Sequence, residues 1–264
     1  MTAEKRVVDL SCDLGESYGN FKVGRDEEVI PFIVSASVGC GFHGGDPTTM
    51  RRTVERAASA GVKVGAHPGF PDLLGFGRRN MDVQTADLVN YVLYQLGAMS
   101  AMCKAVGVAM QHVKAHGALS DMAAQDRGIA AAIVEAVMLF DPGLVVYTTW
   151  NSEVERVASD RGLRTALEVY VDRCVDDHGV EIPGYDPSTL GGSVDSAIER
   201  VISALATGRL RTNTGGTVEW SANSVCFHGD TVDTLAFASG LRRGLEGAGF
   251  AVKAPATWDG NGRA

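Results

Sequence analysis

Seven short aliphatic runs recur along the chain, with longer Ala-, Leu- and Val-rich stretches between them, and this alternation limits the fold more than any other feature. The runs lie near Val7–Cys12, Ile33–Val38, Val62–Ala66, Met110–Ala115, Leu144–Thr149, Ala166–Val171 and Ser224–Phe227. Each is apolar at nearly every position, as expected of strands covered on both faces. Between them, 47–60, 86–106, 129–140, 194–206 and 231–245 carry the three- and four-residue apolar spacing of helices packed on one side. Asp46 before Pro47 is a helix start with a physical reason for each residue, and Gly61, Gly107, Gly208 and Gly247 stand where helices stop. Strands alternating with helices make βα units around a parallel sheet. At 264 residues the chain suits one closed α/β barrel, which typically takes about 250 residues. We expect a single domain over 1–255 and a flexible tail over 256–264.

Composition narrows the function. The 24 Lys and Arg against 32 Asp and Glu leave a net charge of -8 without a basic block, the wrong sign for nucleic acid or an anionic membrane surface. The apolar stretch from Ile129 to Thr149 is broken by Glu135, Asp141 and Pro142, short of the roughly 18 uninterrupted residues of a spanning helix. Five scattered cysteines with no Cys-x-x-Cys form neither a disulfide framework nor a zinc ribbon. With no apolar signal core after the first residues, the expectation is a cytoplasmic protein. No Gly-x-x-x-x-Gly-Lys-Ser/Thr or Gly-x-Gly-x-x-Gly phosphate loop is present, so any ATP is expected to come through another chain.

The chemistry collects just after the strands. Asp13 and Glu16 follow the first, His43 and Asp46 the second, His67 and Asp72 the third, Lys114 and His116 end the fourth, and His228 and Asp230 the seventh. In a parallel barrel these ends converge on one face, so four of the six histidines share one mouth. Any one of them is explained by a structural hydrogen bond; their joint placement points to a site. Two chemistries fit. Asp13, His43 and His116 are candidate ligands for a divalent metal that acidifies water. Alternatively, an imidazole acts as general base while Lys114 stabilises an oxyanion. The glycine-rich loop into Pro47 offers free N–H groups for an anion, with Asp46 capping them in part. Arg78 and Arg79 offer guanidiniums to a carboxylate or phosphate. Asp172 and Arg173 form either an internal ion pair or a substrate clamp. His112, His178, Cys12 and Cys40 read as structural.

At these residues the chain closely resembles the LamB/YcsF family. The matching segments are Asp9–Gly19, Cys40–Pro47, Gly65–Asp72, Gly75–Arg79, His112–Leu119 and Cys226–Asp230. The resemblance runs in order from about residue 8 to 253. It implies a seven-stranded β/α barrel related to glycoside hydrolases and polysaccharide deacetylases. It also implies the ATP-dependent opening of the lactam 5-oxoproline to L-glutamate, in a complex with partner subunits B and C of a 5-oxoprolinase. On that pattern Asp13, His43, His67, Lys114 and His116 surround the ring; Glu16, Asp46, Arg78, Arg79, Asp172, Arg173, His228 and Asp230 are the expected substrate contacts. The chain departs from the family pattern at Ser37, Ala115, Ser120, Asp121, Cys174, Val175 and Gly184. Two other readings stay open: a stand-alone hydrolase or deacetylase, metal-dependent or not, and a non-catalytic barrel binding a small acid. A homo-oligomer is compatible with each.

Overall fold

The computed structural model describes residues 6–255; the expected tail at 256–264 lies outside them. Seven parallel strands close on themselves: β1 Val7–Leu14, β2 Ser35–Gly39, β3 Lys63–His67, β4 Met110–Lys114, β5 Val145–Thr149, β6 Arg164–Tyr170 and β7 Ser224–His228. Each pairs with the next, and β7 pairs with β1, placing Asp13 beside His228. A short strand, Ala251–Val252, adds to the start of β1. The seven strands are those expected from the sequence, within a few residues.

The barrel interior is not the apolar stack expected from strands buried on both faces. Even-numbered β1 residues Val8, Leu10, Cys12 and Leu14 join the main core, while Asp9, Ser11 and Asp13 carry polar groups that bond across the bore. Barrel interiors are usually filled by Val, Ile and Leu. Here the lowest layer is Asp9, whose Oδ1 accepts from Ser35 Oγ at 2.7 Å and whose Oδ2 accepts from Ser224 Oγ at 2.8 Å and Tyr147 Oη at 3.0 Å. One layer up, Glu168 accepts from Ser11 Oγ and Tyr170 Oη, both at 3.1 Å. Asp13 and Lys114 form the top layer. Each polar group of these three layers is thereby matched with a partner, without which its burial would be costly.

Helices cover the outside: α1 Pro47–Ser59, α2 Thr85–Val106, α3 Gly117–Gln125, α4 Arg127–Phe140, α5 Glu153–Asp160, α6 Val194–Thr207 and α7 Thr234–Gly247. Five were expected; α3 and α5, at 9 and 8 residues, were not, being too short to show apolar periodicity. Asp46 caps α1, accepting from Thr48 N and Thr49 N, with Pro47 in the first turn. Between β6 and β7 the chain makes two antiparallel ribbons, Cys174–Val175 with Glu181–Ile182 and Arg209–Arg211 with Thr217–Glu219. The first of these folds over the barrel mouth. No helix among the described residues is long and apolar enough to cross a membrane.

Candidate active site

All seven strands deliver their carboxyl ends to one face, and the expected cluster assembles there. At its floor Lys114 Nζ donates to Asp13 Oδ1 at 2.9 Å, Asp13 Oδ2 at 3.1 Å and Cys226 Sγ at 2.9 Å, with Glu168 3.5 Å away. Burial disfavours the ammonium, but Asp13 and the other anionic neighbours outweigh it and raise the Lys114 pKa well above its ordinary value. Burial likewise opposes the charge on Asp13, yet His67 and Lys114 hold its carboxyl well below the usual range. Both therefore stay ionised. The three Lys114 protons are all taken by Asp13 and Cys226, so the expected oxyanion donor is instead a fixed counter-charge to Asp13.

Three imidazoles stand beside this pair. His67 Nδ1 donates to the Lys114 carbonyl at 2.8 Å, and His116 Nε2 donates to the Phe76 carbonyl at 2.7 Å. These bonds leave His67 Nε2 and His116 Nδ1 facing each other at 3.0 Å. With those donors committed, both facing atoms present lone pairs, an arrangement suited to sharing a cation. Glu16 Oε1 is 3.3 Å from His116 Nδ1, 3.8 Å from His67 Nε2 and 3.0 Å from His43 Nε2. His43 stacks flat on His116, ring centres 3.6 Å apart. Burial, with its charged neighbours, drives both rings well below the usual histidine pKa, and burial together with Asp13 raises Glu16.

Local backbone explains this packing. The loop after β3 is pinned by Gln95 of α2, which bonds both the N–H and the carbonyl of Gly69. A Cβ on Gly69 would lie 2.5 Å from His43 Nδ1. Gly77, at φ +64°, crosses the stacked rings so closely that a Cβ would meet His43 Cβ at 2.6 Å and His116 Cδ2 at 2.8 Å. Neither position leaves room for a side chain.

One nitrogen or oxygen from each of Glu16, His43, His67 and His116 lies within 4.8 Å of the others. This donor set suits a borderline divalent cation, and the carbonyls holding the far nitrogens of His67 and His116 are the outer partners that metal-bound imidazoles usually have. His43 is the weaker member, because its buried Nδ1 has no partner. The grouping differs from the expected Asp13, His43 and His116: Asp13 is committed to Lys114, and Glu16 stands in its place.

Above the floor is a cavity of about 170 Å³, whose wall includes Asp13, His67, His116, Arg78, Arg173 and His228. That volume is well below the ~300 Å³ of a typical drug-sized site and suits a small metabolite. A larger space of about 450 Å³ opens beside it behind Ser120, Asp121 and Glu181, away from the histidine cluster. His228 Nδ1 lies 3.0 Å from Asp172 Oδ1, and Asp172 Oδ2 also accepts from His228 N and Thr231 Oγ1. Burial acts against Asp172, but His228 and these donors push its pKa well down, so the carboxylate is ionised. The Nε2 of His228 is thereby turned toward Asp13 Oδ2, 3.7 Å away. Asp172 is thus hydrogen-bonded to His228 and not to its neighbour Arg173.

Other expected contacts lie elsewhere. Asp46 is used up as the α1 cap and also accepts from Gly19 N, which removes the expected anion site at that helix start. Arg79 pairs with Asp72 and is 66% exposed, outside the cavity wall. Arg78 reaches the wall but is held by Asp230 at 2.8 Å. His43, wholly buried, sits behind His116 and does not face the cavity. Glu168 and Cys226 were missed as partners of Lys114. A glutamate between Leu167 and Val169 in an apolar strand was a signal for the first; nothing in the sequence marked the thiol, or Glu181 on its short ribbon.

The model of the LamB/YcsF family matches residues 8–259. The chain belongs to the LamB/YcsF family. Among its relatives, the 5-oxoprolinase A subunit of Bacillus subtilis (strain 168) is 46% identical over 247 residues, covering 94% of this chain and 96% of that protein. The crystal structure of a lactam utilization protein from Thermus thermophilus, another close match, superposes with a TM-score of 0.85 at 40% identity, covering 94% of this chain and 99% of that one. A family 4 carbohydrate esterase from Streptomyces lividans shares the barrel at a TM-score of 0.50 and 12% identity, covering 98% and 96% of the two chains. That last likeness is one of fold alone. The seven-stranded barrel is the fold expected from the sequence.

Proposed function

We propose that this LamB/YcsF chain is the hydrolytic component of an ATP-dependent lactamase that opens 5-oxoproline to glutamate, with ATP used by partner subunits B and C. The observation that carries the reading is the Asp172–His228 pair, aimed across a small cavity at an ionised Asp13, in a chain whose relatives bear the name of the 5-oxoprolinase A subunit. Opening a lactam requires water to add to the carbonyl carbon, the C–N bond to break and the ring nitrogen to gain a proton. His228 Nε2 takes the proton from water and passes it to the leaving nitrogen, while Asp172 holds the ring and stabilises its charged form. Asp13, charge-balanced by Lys114, faces the imidazolium as it forms. Ring closure to 5-oxoproline is favoured over opening, so the partner subunits first transfer the terminal phosphoryl group of ATP to the lactam oxygen; water then adds to the activated carbon, and phosphate leaves as the C–N bond breaks. A divalent cation on Glu16, His43, His67 and His116 would supply Lewis-acid polarisation when bound.

The test is glutamate release from 5-oxoproline by the chain mixed with B and C subunits and ATP, and by the chain alone. We expect turnover in the full mixture, and a fall in kcat of roughly 10²- to 10⁴-fold for His228→Gln with KM little changed. Wild-type turnover by His228→Gln would remove the acid–base assignment. An assembled complex that releases no glutamate would remove the substrate, and ATP-independent turnover by the chain alone would favour the stand-alone hydrolase.

A further inference from the structure

Among the described residues four cations approach the barrel mouth, and three are spoken for. Lys114 is saturated by Asp13 and Cys226, Arg78 is paired with Asp230, and Arg79 with Asp72. Arg173 is different. It is only 7% exposed, lines the small cavity, and makes no side-chain hydrogen bond among the described residues. The nearest carboxylate is Glu181 Oε1 at 3.8 Å, beyond hydrogen-bond reach. A guanidinium carries five donors in a planar fork, and here none of its nitrogens is sealed off from solvent, so the donors without a protein acceptor open onto the cavity, where a ligand can take them.

The mounting of Arg173 is rigid. The buried Arg200 donates through Nη2 to the carbonyls of Tyr170 at 2.8 Å and Arg173 at 2.6 Å, and so clamps the turn that carries it. The preceding residue is Asp172, which orients His228. Two consecutive residues thus serve one cavity: Asp172, wholly buried, sets the orientation of His228, and Arg173 lines the wall with its donors.

We propose that Arg173 is the seat for the carboxylate of a small monocarboxylate substrate, which it grips through two parallel hydrogen bonds. In so small a cavity, anchoring one end at Arg173 brings the rest of the molecule against Asp13, His67 and His228. The same wall carries Asp121 and Glu181, whose carboxyls would face a second negative charge on a ligand. The seat accordingly favours one carboxylate over two. This rests on the lactam reading, and there it has a consequence: the substrate carries one carboxylate and the ring-opened product two, so the reaction itself loosens the grip.

The experiment is calorimetric titration of the full chain with 5-oxoproline, with its uncharged carboxamide, and with cyclopentanecarboxylate, which has the carboxylate but no lactam. Wild type should bind both acids roughly tenfold to a hundredfold more tightly than the carboxamide. Arg173→Gln should erase that preference, and Arg173→Lys should restore only part of it, because an ammonium is not a fork; melting curves check that both variants fold. Equal affinity of wild type for acid and amide, no binding of either acid, or an undiminished preference in Arg173→Gln would overturn the proposal. If cyclopentanecarboxylate binds through Arg173 while 5-oxoproline is never turned over by the assembled complex, the seat stands and the lactamase reading falls. Normal KM for 5-oxoproline in the Arg173→Gln complex removes the seat and leaves the lactamase reading in place.

Discussion

Asp9 lies at the floor of the barrel, two layers below the reaction cavity, and replacing it by Asn tests the polar bore without touching the site. Burial is the largest influence on its carboxyl and raises its pKa from 3.8 to about 7, against the lowering effect of the Ser35, Ser224 and Tyr147 hydroxyls. A raised acid holds its proton more tightly in the folded state. Its contribution to stability is therefore full below the unfolded pKa of 3.8 and is lost as pH rises to about 7. At about 1.4 kcal/mol per unit of difference, the loss amounts to roughly 4 kcal/mol overall, of which about 3 kcal/mol falls between pH 5 and pH 8. Asn copies the neutral acid: one oxygen accepts, and the amide donates to hydroxyls that rotate to receive it. Urea unfolding of wild type and Asp9→Asn at pH 5, 6, 7 and 8 reads the difference directly. The variant should gain on wild type by about 3 kcal/mol across that range. The depressed acids Asp13 and Asp172 act in the opposite sense but below pH 4, outside this window, and cancel in the difference. Parallel curves would show that Asp9 does not titrate there and that the bore is solvated.

Two further outcomes follow from the site. Lys114→Met leaves Asp13 buried and without its counter-charge, so it should cost about 3–5 kcal/mol in urea unfolding, while the double variant with Asp13→Asn should cost clearly less. A double variant as unstable as the single would show that the pair is not coupled. Equilibrium dialysis against zinc should load one ion per chain and raise the melting temperature, with both effects lost in Glu16→Gln/His116→Ala. No uptake by wild type would overturn the reading of the 3.0 Å contact between His67 and His116 as part of a cation site.

Much of the site was legible because a parallel barrel turns sequence position into spatial position. Asp13, His67, Lys114, His116 and His228 each lie at or just past the carboxyl end of a strand, and closure of β7 on β1 carries them to a single face. Reading which of them meet required distances. Lys114 looked like an oxyanion donor until its three protons were found on Asp13 and Cys226. Asp172 and Arg173 looked like partners in an ion pair, but adjacent residues after a strand point to different surroundings, one to His228 and the other into the cavity. Arg78 and Arg79, adjacent as well, separate in the same way to Asp230 and Asp72.

The sequence by itself determined the strand count, the order of βα units, the capped start of α1 and the face on which the chemistry gathers, because these follow from local apolar periodicity, capping and chain direction. Tertiary structure alone decided the polar layering of the bore, the grouping of Glu16 with three histidines, and the placing of Arg173 in the cavity wall without a hydrogen-bond acceptor. Those depend on which side chains meet across the barrel, where partners such as Ser11 and Glu168 are 157 residues apart. No local pattern encodes a hydrogen bond at that separation; it is set by the register in which the strands close.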